Sequence, residues 1–181
     1  MKERTKLVLI LAVFAACWFL PVAHPHADFS LTAAAFRLGV PLTVHPGIGY
    51  DIIWTHPHAS VGAVGRAAYL DFLALAHSVG RLDGGVMLSV GSAVMAPQVF
   101  EKAMSVANNH RQQRGQGPLH PFIAVNDLAA STWDWSRGEP PAEDPAYYLR
   151  FCKSFSRMGG QVVYAHGDNR VFVHHLLHAL R

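Results

Sequence analysis

Three side chains in this sequence could move a proton near neutrality, and each sits where a short apolar run gives way to polar or glycine residues. His45 follows Leu42-Thr43-Val44, and His166 follows Val162-Val163-Tyr164-Ala165. Imidazole is the side chain whose ordinary titration lies closest to pH 7, so both are acid–base candidates. Asp51 closes the loop that His45 opens, His45-Pro46-Gly47-Ile48-Gly49-Tyr50-Asp51. Asp51 and Asp127 could hold a ribose hydroxyl or act as acid–base groups; an Asp at a loop or helix start also suits a backbone cap. Each histidine fits a hydrogen-bonded, half-buried imidazole equally well. Around these three lie candidate ligand-binding residues: Gly47 and Gly49, Gly91 and Ser92, Asn126 and Asp127, Gly167 and Asp168.

Other chemistries find less support. Gly47-Ile48-Gly49 lacks the third glycine and the helix start of a dinucleotide fingerprint, and a turn needing positive φ explains it as well. Ser92 has no Gly-x-Ser-x-Gly setting, so it reads as small-residue packing against a ligand or neighbouring backbone. His56 and His58, and His174 and His178 one helical turn apart, have ligand-like spacings, but no third ligand completes either set. No metal site is expected. Trp133 and Trp135 could cover a bound ring, or anchor their loop to the body or to a partner subunit.

The elements that must position these residues follow from periodicity. Residues 42–44, 86–90, 122–125 and 161–165 are short apolar runs and read as strands. Amphipathic helices alternate with them. Asp28 or Ser30 caps a short helix with Leu31, Ala34, Ala35 and Leu38 on one face, ended by Gly39 and Pro41. From about Ser60 to Arg81 the apolar stripe Val61, Val64, Ala68, Phe72, Leu75, Val79, Leu82 advances by threes and fours. Pro97 opens a helix with Val99, Phe100, Ala103, Met104 and Ala107 inward. Asp144-Pro145 opens another with Tyr148, Phe151, Cys152, Phe155 and Met158, and a last one from about Asn169 turns Phe172, Val173, Leu176, Leu177 and Leu180 inward.

This alternation predicts consecutive βα units and a parallel sheet of about four or more strands flanked by helices. In such a sheet ligands bind outside the carboxyl ends of the strands, where the four polar loops must emerge. Helices starting near Pro97 and Asn169 would aim backbone amides at the same edge, which suits phosphate or carboxylate. The loop over residues 128–144 is long enough to suggest a functional or mobile segment.

Composition narrows the classes further. At 181 residues with 51% apolar and only 15% charged residues, the chain is long and apolar enough for one folded domain. The net charge of +3 is small and its Lys and Arg are scattered, so nucleic acid is not an expected partner. Cys17 and Cys152 cannot form a disulfide framework. Residues 1–27 stand apart from the domain at 28–181. Basic Lys2 to Lys6, then the apolar run Leu7 to Leu20, look like a secretory signal, and Phe14-Ala15-Ala16-Cys17 approaches a lipoprotein cleavage site. An element of the fold, or an ill-defined start, is the other reading of this run.

The segments Asp28-Phe29-Ser30-Leu31-Thr32-Ala33-Ala34-Ala35-Phe36-Arg37-Leu38-Gly39-Val40-Pro41-Leu42-Thr43-Val44-His45, Gly49-Tyr50-Asp51-Ile52-Ile53, Val90-Gly91-Ser92-Ala93-Val94 and Pro97-Gln98-Val99-Phe100-Glu101-Lys102-Ala103 together resemble bacterial deoxyhypusine synthase-like proteins. The resemblance covers most of residues 28–181, is densest over 28–109, and would make this chain the C-terminal portion of a longer family domain. It implies a Rossmann-like fold, NAD as cofactor and a cytoplasmic location, the alternative being export or anchoring through residues 1–20. True synthases form an imine on a lysine just after a glycine-rich strand end; Ala96 falls about there, and alanine supplies no amine. The expected function is therefore binding of a nucleotide-type or small anionic ligand at the strand edge, without hypusine formation, by a homo-oligomer. A non-catalytic subunit acting in assembly is the alternative.

Overall fold

The computed structural model describes residues 25–181, so the signal-like run and Cys17 fall outside the described residues. The chain divides into two compact units, one ending at Leu42 and the other spanning Thr43–Arg181. The first contains helix α1 (Leu31–Leu38). Its ends form as the sequence dictates: the Ser30 hydroxyl accepts from the Ala33 amide at 3.2 Å, and Gly39 takes the left-handed conformation. Its face does not. Leu31 and Leu38 are exposed and Ala33 is the buried residue, because capping fixes where a helix stops but not which side finds a neighbour.

The second unit runs α2 (Val61–Val79), β1 (Val86–Val90), α3 (Met95–Gln113), β2 (Phe122–Asp127), α4 (Arg150–Ser156), β3 (Gln161–His166) and α5 (Asn169–Ala179). It is an α/β arrangement: three parallel strands in the order β1-β2-β3, flanked by helices. Val86 stands opposite Phe122, and Phe122 opposite Gln161. Among the described residues the sheet has three strands. Leu42-Thr43-Val44, expected as another, pairs with none; the Val44 amide donates instead to the Asp71 carboxylate on α2 at 2.9 Å. An apolar triplet specifies an extended backbone, but a strand also needs a neighbour's carbonyl, and here a side chain has taken that role.

One face of the sheet carries the core. Ile123, Val125 and Val162 are buried against Phe100 and Met104 of α3, with Cys152 and Phe155 of α4 and Val79 of α2 in the same cluster. The Phe100 and Phe155 rings meet at 6.0 Å between centroids and 58°, a tilted pairing that adds to the area they bury. Helix α3 begins two residues before Pro97, whose missing N–H costs nothing in the first turn, where amides lack partners anyway.

Two expected helix faces are displaced. Asp144 does cap a helical start, accepting from the Ala146 amide at 2.8 Å, but Pro145–Tyr148 winds as a 3-10 turn and the α-helix starts only at Arg150. The tighter turn changes the phase of the pattern, leaving Tyr148 exposed while Cys152 and Phe155 enter the core; the side chain of Phe151 is outside the described ones. On α5 no residue is fully buried, and Val173, Leu177 and Leu180 are exposed.

The long 128–144 loop is pinned rather than free. The Trp135 indole N–H donates to the Ser131 hydroxyl at 3.2 Å and is buried in the core, and the Trp133 indole donates to the Gly138 carbonyl at 3.0 Å. Glu139 accepts both 2.7 Å bonds of an Arg157 fork and lies 3.2 Å from Lys153. Among the described residues no helix is long and apolar enough to cross a membrane.

Replacing Phe155 with alanine removes a fully buried ring from the centre of this cluster. Urea unfolding should show a loss of about 3–5 kcal/mol; a loss under about 1 kcal/mol would contradict the packing described.

Candidate functional site

The three strand exits meet at one edge, and Asn126 is their junction. Its side-chain amide donates to the carbonyls of Ala165 at 2.8 Å and Gly167 at 3.3 Å. Two carbonyls on one side require nitrogen there, which turns the side-chain oxygen the other way. That oxygen is buried and has no partner among the described residues, in a residue only 2% exposed. The main chain continues the sheet past its strands: Gly91 donates to the Asn126 carbonyl and Gly167 to the Asp127 carbonyl, each at 3.0 Å.

Asn169, the first residue of α5, leans over Gly91. Gly91 has φ +68°, and any β-carbon there would run into the Asn169 side-chain amide. Glycine is needed for both the turn and the close approach. The Asn169 side-chain oxygen is a second buried acceptor without a partner. Gly91, Asn126, Asp127, Gly167 and Asp168 are thus drawn together, with Asn169 completing the cluster.

The two helices starting at this edge already have caps. The Ser92 hydroxyl accepts from the Ala96 amide at 3.0 Å, at the start of α3. Asp168 accepts from the amides of Arg170 at 2.8 Å and Val171 at 3.4 Å. The Arg170 guanidinium, 3.0 Å from its carboxylate, and these amides hold Asp168 down at a pKa of about 2. Asp127 accepts from the Ala129 amide at 3.1 Å. Ala96 is the second residue of α3 and offers this edge no amine.

His166 donates from Nε2 to the Leu128 carbonyl at 3.1 Å, tying β3 to the pinned loop. Beside it the Tyr164 hydroxyl donates to the Ala129 carbonyl, and burial, with Cys152 and Asp127 adding to it, pushes that phenol up to about 12. Burial likewise raises the Cys152 thiol, which makes it a packing group rather than a nucleophile.

The 45–51 loop has its own internal logic. Asp51 accepts from the Gly47 amide, and the Trp54 indole donates to the Gly47 carbonyl at 2.8 Å. A β-carbon on Gly47 would meet the Tyr50 ring, while Gly49 supplies the positive φ of +94°. Both glycines are accounted for by the turn. The Tyr50 hydroxyl donates to the Met95 sulfur at 2.8 Å, which brings the loop beside the start of α3. His45 Nε2 lies 3.0 Å from the Thr43 hydroxyl. Burial holds its imidazole below the ordinary 6.5, with the Asp71 charge opposing. Asp51 and Asp71 face a cavity of about 460 Å³ whose walls are apolar residues such as Ile52, Ile53 and Val64.

Among the described residues no hydrogen bond or ion pair links His45, Asp51 and His166 to one another. His45 and Asp51 serve the loop, and His166 serves the strand exit. Nor do three metal-ligating side chains gather anywhere among the described residues; the His174 and His178 rings, 4.5 Å apart, remain a pair. Asn169 was not singled out in the sequence. Its signal there is an Asp-Asn helix start directly after a strand and glycine, the usual place for a side chain reaching over the sheet edge.

A Gly91→Ala substitution forces a left-handed alanine into the Asn169 side chain, and thermal or urea unfolding should show a loss of at least about 1–2 kcal/mol. His45 gives a pH signature. Its folded-state pKa lies below 6.5, so the unfolded chain binds the proton first and stability falls as pH drops through 6.5 towards the folded value. Stability measured between pH 7.5 and 5 should fall less steeply in His45→Gln; an identical slope would show that His45 does not contribute. No protein-family model matches this chain, and neither the curated proteins nor the solved structures give a significant match.

Proposed function

We propose that the second unit is a Rossmann-like binding domain for a small nucleotide-type or other polar ligand, held at the carboxyl edge of its sheet. The observation that carries this reading is the buried, unpartnered side-chain oxygen of Asn126 at the meeting point of three strand exits. A buried acceptor left unpaired costs about 1–3 kcal/mol, and a ligand N–H or O–H would offset that cost. Asn169 offers a second such acceptor, so the ligand needs at least two donors. Ribose hydroxyls or an exocyclic amine have this character.

The sequential strand order with a helical crossover after β1 is that of one mononucleotide-binding half, which supports the Rossmann-like reading. The resemblance to deoxyhypusine synthase-like proteins supports the same edge and makes NAD the first ligand to try. Hypusine synthesis is not part of the reading, because Ala96 cannot form an imine.

Thermal-shift and calorimetric titration with NAD, ADP-ribose and adenosine tests it. At least one should bind saturably, and Asn169→Ala, which removes one acceptor at the edge of the cluster, should weaken it about tenfold. No binding by any of the three to folded protein would defeat the proposal.

Assembly is a second reading, favoured by the face of the sheet opposite the core. Val86, Leu88 and Val163 on it are 58%, 45% and 47% exposed, whereas parallel sheets are normally covered on both faces. Sedimentation velocity at high protein concentration should show a homo-oligomer that Leu88→Glu dissociates. A monomer throughout would reject it.

A further inference from the structure

We propose that a cleft between the C-terminal ends of α2 and α3 binds a small diphosphate-bearing ligand through Arg81 and Arg114. The cleft has a volume of about 400 Å³. Its two walls are helical faces with the same spacing: Leu73, Ala76, His77 and Gly80 on and just beyond α2, and Ala107, His110, Arg111 and Arg114 on and just beyond α3. The helices approach closely at the cleft floor, where a β-carbon on Gly80 would lie 3.9 Å from that of Ala107. Beyond that point they leave a gap with an alanine floor and a cationic rim.

The charges in this gap are not equivalent. Arg111 is committed, its guanidinium donating to Asp83 at 3.0 Å and to the Gly117 carbonyl at 2.6 Å. The guanidinium groups of Arg81 and Arg114 have no hydrogen-bond or ion-pair partner among the described residues, and neither do the His77 and His110 rings. Among the described residues no Asp or Glu lines the cleft.

Basic groups near helix C-termini also have a purely structural explanation, since each helix end carries about −0.5 charge. Two ends together amount to about −1, against +2 from the two uncommitted guanidinium groups. A net positive charge of about one unit remains. Dipole complementation therefore accounts for part of the cluster and leaves the rest available to an anion.

The shape of the donors selects among anions. One free guanidinium comes from the end of each helix, and each is a planar fork suited to a phosphate oxygen pair. A lone carboxylate would engage one fork; a diphosphate can engage both. The floor of Ala76 and Ala107 can take an apolar or ring-shaped remainder. This site is separate from the strand edge: α3 carries the chain back from that edge, and Arg111 at its far end bonds Asp83, ahead of β1.

Calorimetry on the full chain at low salt, with inorganic pyrophosphate and with ADP as probes, tests the proposal. Both should bind saturably, and Arg81→Ala and Arg114→Ala should each weaken binding about tenfold with unchanged melting temperature. Asn169→Ala, at the opposite edge, should leave pyrophosphate binding unaltered. Equal affinity for the two probes would assign inorganic diphosphate as the ligand, and tighter ADP binding that persists in Asn169→Ala an organic diphosphate with its base on the alanine floor. Absence of saturable pyrophosphate binding, or binding unchanged in the folded Arg81→Ala/Arg114→Ala double variant, would overturn it.

Discussion

The two-sided parallel pairing of β2 is the constraint on which the rest of the second unit depends. Because β1 and β3 both run alongside it in the same direction, all three strands must release their chains at one edge. Each chain must then return to the other end before the next strand begins, and α3 makes that return after β1. The buried face of the sheet enforces this. Ile123 and Val125 on the central strand hold Phe100, Met104 and Phe155 against them, so α3 and α4 have little freedom to lie elsewhere. Polar residues end up gathered at the strand exits and helix ends at the opposite side as a consequence of connectivity, before any ligand is considered.

Polar satisfaction then distinguishes the strand-exit edge from an ordinary sheet end. Asn126 extends the hydrogen bonding of the sheet by binding two carbonyls of the neighbouring chain, which locks its orientation and isolates its oxygen. An aspartate there could not donate to those carbonyls, and a leucine would leave them unpaired by this side chain. The residue type is explained by the fold, but the unpartnered oxygen is not. Natural structures pair most buried acceptors, so this atom, with the likewise unpartnered Ser89 hydroxyl and Asn169 side-chain oxygen, marks where the fold's own requirements cease to account for the sequence.

Much of this was legible in the sequence, and the failures share a cause. Strand β1 matched its expected span of Val86–Val90 because glycines bound an uninterrupted apolar run, and Ser30 and Asp144 cap their helical starts as their types require, while Asp168, expected to bind a ligand, caps α5. What local pattern could not supply was the partner. Leu42-Thr43-Val44 has the apolarity of a strand and, among the described residues, no strand paired with it; Leu31 and Leu38 have helical spacing and are exposed. The candidate site divides the same way. Gly91, Asn126 and Gly167 were found by the rule that polar residues after parallel strands converge. The chemistry of His45, Asp51 and His166 points to acid–base work, and geometry assigns them separate hydrogen-bonding duties. Arg81 and Arg114 looked scattered because they are far apart in sequence; only the packing of α2 on α3 brings them to one cleft.

The division of polar groups also bears on which chemistry each end of the sheet could serve. Helix N-termini at strand exits are the usual cradle for phosphate. Here Ser92 takes one α3 amide, Pro97 has none to give, and Asp168 takes two from α5 while placing a carboxylate where an anion would sit. The unpartnered side-chain atoms that remain at that edge, on Asn126 and Asn169, are acceptors. At the far end of α3 the unpartnered groups of Arg81 and Arg114 are cationic donors, facing the weakly negative ends of two helices. An edge of acceptors favours hydroxyl and amino groups, and a cleft of guanidinium groups favours phosphate. Three of the amides that would cradle a phosphate at the strand exits are taken by the protein's own side chains, which is why the proposed diphosphate site lies at the arginines and not at this edge.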